Sequence, residues 1–282
     1  MSHTATLRAQ CLGKLMRDLR DAAGLTLRDA GDHIMRDPST ISRIEAGTLP
    51  ARIPDVMELL NLYGVDDSAV RAGLEQLTRD VWRKGWWDGY ADIVPNKIID
   101  AAWLEARAAD IRHFSTLVLP GLMQTPEYAQ AVIRAASPDA SDEQVQQWIT
   151  FRMKRQEALT QDDAPDYHVI LDESSFQRIV GGSSVMRKQL AHVLDLSLRP
   201  NVTVRILPFS TGAMPSPDSG FTVYVMPHPF PLVAQINSEG GALYVEMPKA
   251  GRFNEAYTRL EDEALDVEDS QMFLKTRMEQ LA

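Results

Sequence analysis

The chain has 282 residues, 44% hydrophobic and 24% charged, a composition that supports one large or two ordinary folded domains. Its 29 Lys and Arg against 39 Asp and Glu leave a formal net charge of −10, which excludes a whole-molecule basic coat for nucleic acid or anionic membranes. The single cysteine, Cys11, cannot form an internal disulfide, and the first ten residues lack a signal-peptide apolar stretch, so a cytoplasmic location is expected.

Residues 1–64 carry eight basic and eight acidic side chains, so the whole net charge belongs to the remainder. A neutral N-terminal unit on an acidic body predicts two units with different partners. Leu12, Leu15, Met16 and Leu19 fall at helical spacing, and Gly24 ends that helix. Thr26, with Asp29 three residues on, opens a second helix through Ala30 and Ile34. Asp37-Pro38 joins a favoured N-cap to a favoured first helical residue. The third helix runs from Pro38 to Ala46, turns Ile41 and Ile44 inward, and stops at Gly47. A fourth follows Pro54, with Val56, Leu59, Leu60 and Tyr63 inward. Helices this short need one another and predict a small bundle.

From Asp67 to about Lys84 an amphipathic helix carries Val70, Leu74, Leu77 and Val81, followed by Trp82, Trp86, Trp87 and Tyr90. Beyond it, Ala101 to Ala109 reads as helix and Ile111 to Leu119 as extended chain. Helices are expected from Thr125-Pro126 through Ala136 and from Ser141 to about Gln161. The period then changes to two, with strand candidates at 168–171, 202–207, 221–225, 233–236 and 242–245. A helix from Ser184 to Leu198 interrupts them, and helices over 251–265 and 267–281 close the chain. The longest uncharged run, 219–238, is broken by Pro227, Pro229 and Pro231 and is no membrane span, so no membrane partner is expected. The expected fold class is α+β: a helix-turn-helix bundle over 1–65, a helical connector over 66–90, and a mixed α/β body over 91–282.

The strongest local signal lies in residues 26–47. Two short helices about four residues apart, the second opening on Ser39 and Thr40 and bearing Arg43, match the needs of a major-groove reader. The start of the second helix places small polar groups on base edges, and its positive dipole end favours phosphate. Arg43, opposite Ile41 and Ile44, offers a guanidinium for bidentate contact with guanine. Arg28, Arg36 and Arg52 bracket the backbone. Pro38, Ser42 and Thr48 complete the expected DNA-binding set. Spacing alone leaves an ordinary three-helix bundle with solvated arginines as the competing reading.

The stretch Ser39-Thr40-Ile41-Ser42-Arg43-Ile44-Glu45-Ala46-Gly47, with Leu59-Leu60-Asn61-Leu62-Tyr63-Gly64 after it, resembles the Xre or phage-repressor helix-turn-helix family. The resemblance implies that Pro38, Ser39 and Arg43 read bases. It also implies a structural ion pair between Arg20 and Glu45. Leu27, Gly31 and Met35 depart from the family's usual Gln or Thr, Ala, and turn glycine, and Asp37 sets a negative charge near phosphate.

The body is similar to an actinobacterial family that joins an Xre-type head to an antitoxin-like C-terminal domain of formerly unknown function. The residues that carry this are Gly85-Trp86-Trp87, Leu104-Glu105, the segment from Leu119-Pro120-Gly121-Leu122-Met123-Gln124-Thr125-Pro126 to Ala129, Arg152-Met153-Lys154-Arg155-Gln156, Leu171-Asp172-Glu173, Val180-Gly181-Gly182, Gln189-Leu190 and Asn201 to Phe209. The resemblance implies a transcriptional regulator, some relatives being encoded beside a small partner protein. Trp86, Trp87, Tyr90 and Trp103, with Glu105 and His113, either line an effector pocket or form a hinge core, the second being favoured. Arg152, Lys154 and Arg155 read as a solvated or partner-facing basic patch.

Catalysis is not expected. Asp172-Glu173-Ser174-Ser175 lacks a nucleophile elbow, Gly181-Gly182 lacks a Walker lysine, and histidines 3, 33, 113, 168, 192 and 228 show no metal spacing. No cofactor and no metal are expected. The reading is a regulator that binds a double-stranded DNA operator as a homodimer, since one small head reads too few base pairs. Its body would supply dimer contacts and sense a small-molecule effector or a partner protein. The alternative is an antitoxin-like protein that mainly binds a small partner encoded nearby, with DNA binding for autoregulation.

Overall fold

The computed structural model describes residues 6–82, 85–90, 92–214, 216, 219–238, 241–246 and 248–281. The expected helix end at Lys84, and His3, lie outside these. The chain divides into two compact units, Met1–Trp103 with Pro227–Phe230, and Leu104–Met226 with Pro231–Ala282. The architecture is α+β, a helical N-terminal region followed by a mixed body around one six-stranded sheet.

In the first unit α1 (Leu7–Ala22) opens on Thr6, and α2 (Leu27–His33) opens on a full capping box between Thr26 and Asp29. Next come α3 (Pro38–Glu45), α4 (Ile53–Leu62) and α5 (Ser68–Trp82). Their apolar stripes meet in a core of Leu12, Met16, Ala30, Ile41, Val56, Leu59, Leu60, Leu74 and Leu77, none more than 2% exposed. Helix α5 packs against α1 and α4 and is thus built into this unit. The Trp82 indole N–H donates to Ala51 O at 2.5 Å, fastening the end of α5 to the loop before α4. At Gly13 a Cβ would stand 2.5 Å from the backbone oxygens of Ile44 and Glu45, so only glycine lets α1 approach α3 this closely.

A 3-10 turn (Trp86–Tyr90) leads to α6 (Asn96–Glu105). This corrects the helix expected over 101–109. The N–H groups of Arg107 and Ala108 both turn back to Leu104 O and close the helix before the chain enters the sheet. Strand β1 (Asp110–Ser115) likewise ends short of Leu119, because the Ser115 hydroxyl donates to Val118 O at 2.6 Å and bends the chain.

The second unit continues through α7 (Pro126–Ala136), α8 (Asp142–Gln156), β2 (Asp166–Asp172), α9 (Ser174–Gln177) and α10 (Ser183–Leu196). Then come β3 (Val202–Leu207), β4 (Phe221–Val225), β5 (Val233–Ser238), β6 (Gly241–Glu246), α11 (Ala250–Glu263) and α12 (Val267–Glu279). The single turn α9 had no periodic signal in the sequence. The sheet order is β3-β2-β1-β4-β5-β6, with β1, β2 and β3 parallel and the β1–β4, β4–β5 and β5–β6 pairs antiparallel.

Period two gives the sheet two unlike faces. One carries Phe114, Ile170, Phe221, Val223 and Ala234 under Ala256, Tyr257 and Leu260 of α11, a closed apolar core. The other carries His113 beside Thr222 and Val169, with Tyr167, Tyr224 and Gln235 on the same side. On that second face the Tyr224 hydroxyl donates to Gln235 Oε1 at 2.8 Å, and Tyr167 OH lies 3.3 Å from His113 Nδ1.

Candidate nucleic-acid interface

The α2–α3 turn is held by its own backbone. Arg36 N–H donates to Gly31 O at 2.8 Å, and Met35 takes φ 54°, a left-handed conformation that costs an ordinary side chain about 1–2 kcal/mol. A Cβ on Gly31 would stand 2.6 Å from Arg36 O, so the departure from alanine at this position is required by the closeness of the turn. Asp37 then caps α3 by accepting Ser39 N–H at 2.8 Å. Hydrogen bonds from the Ser39 hydroxyl and N–H hold its carboxyl below the usual range. The helix start is therefore already served by a carboxylate, and a phosphate there would meet like charge. Asp37 thus competes with phosphate for this dipole end.

Helix α3 is amphipathic over its full length. Ile41, Ile44 and Glu45 are buried, whereas Ser39, Ser42 and Arg43 are exposed and Pro38 and Thr40 half-buried. Among the described residues the Arg43 guanidinium meets its own helix, Nε to Ser39 O at 3.4 Å and Nη2 to Thr40 Oγ1 at 3.5 Å, contacts too long to fix it. Thr48, exposed, donates its hydroxyl to Arg43 O at 3.1 Å and closes the end of α3. Arg28 and Arg52 are exposed, Arg52 standing immediately before α4. Arg36 lies 3.4 Å from Asp55.

Beneath this surface Arg20 of α1 meets Glu45 of α3, Nε to Oε1 at 2.6 Å and Nη2 to Oε2 at 2.9 Å. Arg20 Nη1 also donates to Leu25 O at 2.7 Å, and Arg17 Nε reaches Glu45 Oε2 at 3.3 Å. The Glu45 carboxylate holds the Arg20 guanidinium well above its ordinary value. Burial, with Glu45 adding to it, pushes the nearby Tyr63 hydroxyl up to about 12. The pair thus ties the base of α3 to α1 and to the loop before α2.

Residues 12–73 match the family described as a helix-turn-helix domain, and residues 98–276 match the family described as a domain of unknown function, DUF5753. The chain belongs to the DUF5753 family. Neither a curated protein nor a solved structure matches it. A helix-turn-helix head on a DUF5753 body has the architecture of a DNA-binding regulator.

Within the DUF5753 body the Leu119–Tyr128 segment is a hydrogen-bonded knot. Gln124 Nε2 donates to Leu119 O at 2.6 Å, Leu119 N–H to the Tyr128 hydroxyl at 3.2 Å, and Gln156 Nε2 to Gly121 O and Gln124 O at 2.9 and 2.7 Å. Gln189 of α10 accepts Thr125 N–H and donates to Met123 O, both at 2.6 Å. Its residues serve the fold, each satisfying a backbone group that burial would otherwise leave unpaired.

The expected solvated patch at Arg152 and Arg155 is corrected. Arg155 turns inward and forms a bidentate pair with the buried Glu105 carboxylate. Arg152 bonds to the side-chain oxygen of Gln124 at 2.5 Å, and burial beside the like charge of Arg155 pulls it down to about 10. Both guanidinia are needed inside, where neutral and anionic acceptors await them.

The aromatic residues fall in two places. Trp86 meets Trp87 and Tyr90 edge-on, with ring centroids 5.7 and 6.2 Å apart, and Trp103 is buried on α6 in the same first unit. Glu105 and His113 belong to the second unit, Glu105 already engaged by Arg155. Burial, helped by the charge of Arg155, pushes the His113 imidazole down to about 4. Sequence reasoning missed a further feature of this unit, a cavity of about 470 Å³ at the ends of β1 and β2, which includes His113. Its lining comes from separate stretches of chain, 113–118, Asp172 and Ser174, Met214, 219–222 and Asn237, so no local motif announces it.

Proposed function

We propose that this protein is a sequence-specific, DNA-binding transcriptional regulator of the Xre type that reads the major groove with α3. The supporting observation is the division of α3 itself: Ser39, Ser42 and Arg43 stand exposed along one side, while Ile41, Ile44 and Glu45 anchor the other. Ser39, Thr40 and Arg43 are assigned to base edges, and Arg28, Arg36, Thr48 and Arg52 to the phosphate backbone. The protein acts as a cytoplasmic, actinobacterial-type homodimer, because two heads double a reading surface that alone covers few base pairs. The DUF5753 unit supplies dimer contacts and sensing, and its acidic character confines contact with DNA to the neutral head. No reaction is assigned to it.

Footprinting upstream of the protein's own gene tests this. The expected result is protection of two symmetric half-sites about one helical turn apart, roughly 34 Å. Binding no tighter than to bulk DNA at physiological salt overturns it. Co-purification from cells with a stoichiometric small protein, together with such indifference to sequence, would support the antitoxin-like reading instead.

A further inference from the structure

We infer that the DUF5753 unit holds a nucleoside-binding site in the cavity where β1, β2 and β4 meet. The chain runs from β1 outward through β2 to β3, then returns to place β4 on the other side of β1. Ligands of open sheets with parallel strands settle outside the carboxyl ends of the strands, at the point where strand order reverses. That point here is bounded by the end of β1 (Ser115), the end of β2 (Asp172) and the start of β4 (Phe221), and these residues line the cavity. Its volume, about 470 Å³, lies within the range of small-molecule sites.

The chemistry of the lining narrows the class. Asp172 is the last residue of β2, the position from which dinucleotide-binding sheets offer a carboxylate to ribose hydroxyls. Its Oδ1 accepts Ser174 N–H at 2.8 Å, while Oδ2 has no hydrogen-bond partner among the described residues. Asn237 uses its side-chain oxygen to accept from Gln235 at 3.0 Å, which leaves the amide N–H groups for a ligand. Leu117, Val118 and Met214 give an apolar wall against which a base can lie.

The same lining disfavours phosphate. No Lys or Arg is among the described residues around the cavity, so a phosphate would face Asp172 without a counter-charge. The chain leaving β1, Thr116-Leu117-Val118-Leu119-Pro120, has none of the glycines that let backbone N–H groups cradle a pyrophosphate. The site therefore takes the unphosphorylated nucleoside. This assigns a ligand class to the sensing role proposed above and rests on that role only for its regulatory meaning.

The test is calorimetric titration of the full chain, with no DNA present, with adenosine, guanosine, cytidine and uridine. At least one is expected to bind saturably. Its 2′,3′-dideoxy and 5′-monophosphate forms are each expected to bind about tenfold or more weakly, the loss that removal of a charge-assisted hydrogen bond brings. Asp172→Asn, which keeps the acceptor for Ser174, is expected to weaken binding by a similar factor while leaving the circular dichroism unchanged. Should that variant fail to fold, Asn237→Ala at an exposed position is expected to weaken binding severalfold. Absence of binding by all four nucleosides overturns the proposal. So does a monophosphate that binds as tightly as its nucleoside, or wild-type affinity in the variants. Because no DNA enters the titration, failure of the operator reading leaves this result standing, and the converse holds.

Discussion

Each carboxylate oxygen of Glu45 accepts from the one guanidinium of Arg20, and the two residues are 5% and 8% exposed. A pair so desolvated costs much to bury and more to break. Glu45→Ala is expected to lower stability by roughly 3–5 kcal/mol in urea denaturation, since it leaves the buried Nε and Nη2 of Arg20 without their acceptor and only the exposed Asp21 carboxylate beside Nη1. The double variant Arg20→Met, Glu45→Met is expected to recover most of that loss. A single variant within about 1 kcal/mol of the parent would show that α1 and α3 are joined by apolar packing alone.

Gly31→Ala tests the closeness of the reading turn. In an open helix alanine gains up to about 1 kcal/mol over glycine. Here its Cβ meets Arg36 O at 2.6 Å, a rigid backbone atom, so a net loss of roughly 1–3 kcal/mol is expected in thermal denaturation.

Met35 offers the opposite case. It holds φ 54° with its side chain 91% exposed, so its conformation brings strain without packing. Met35→Gly is expected to raise stability by about 0.5–1 kcal/mol, read as a higher Tm.

Asp100 makes the head pH-sensitive. Burial raises its carboxyl from 3.8 to about 6, against the opposing Leu7 N–H and Arg8. The folded chain thus holds this proton more tightly than the unfolded chain. The contribution is fully present below about pH 4 and is lost as pH rises through about 6. Asp100→Asn keeps an acceptor for Leu7 and is expected to stabilise the protein at pH 7.5 by up to about 3 kcal/mol, with no effect at pH 4. Denaturation curves at the two pH values check this.

The two classes of DNA contact separate by salt and sequence. Arg43→Ala is expected to lose roughly 1–3 kcal/mol of discrimination at one base pair. Arg52→Ala is expected to weaken all sequences about equally and to lower the slope of affinity against salt by about one. Binding of a parent operator and single-base variants at two salt concentrations distinguishes them.

Strands whose alternation is clean were legible to the residue: 202–207 and 221–225 read identically in sequence and structure. Helix α3 was legible to within one residue because Asp37-Pro38 marks its start and Gly47 its stop. Its outward residues follow from the spacing of Ile41 and Ile44. Where local signals ran out, so did the reading. Helix α6 begins at Asn96, ahead of the expected Ala101; Pro95 marks that start, but the apolar spacing alone pointed to the later residues. Arg155 looked like surface because its partner Glu105 is 50 residues away and only the fold brings them together. The cavity joins the ends of strands far apart in sequence, and period-two patterns say which face a residue takes but not which strand becomes its neighbour.

Residues 227–230, lying between two paired strands of the sheet, are counted among the N-terminal half. The polypeptide passes from one half to the other three times, not once. A fragment cut after position 103 is thus not the isolated head: it forfeits Pro229, which stands against Gly73 of α5. Dissection by truncation would remove a piece of what it sets out to keep, and measurements on the two halves are best made with the covalent chain intact.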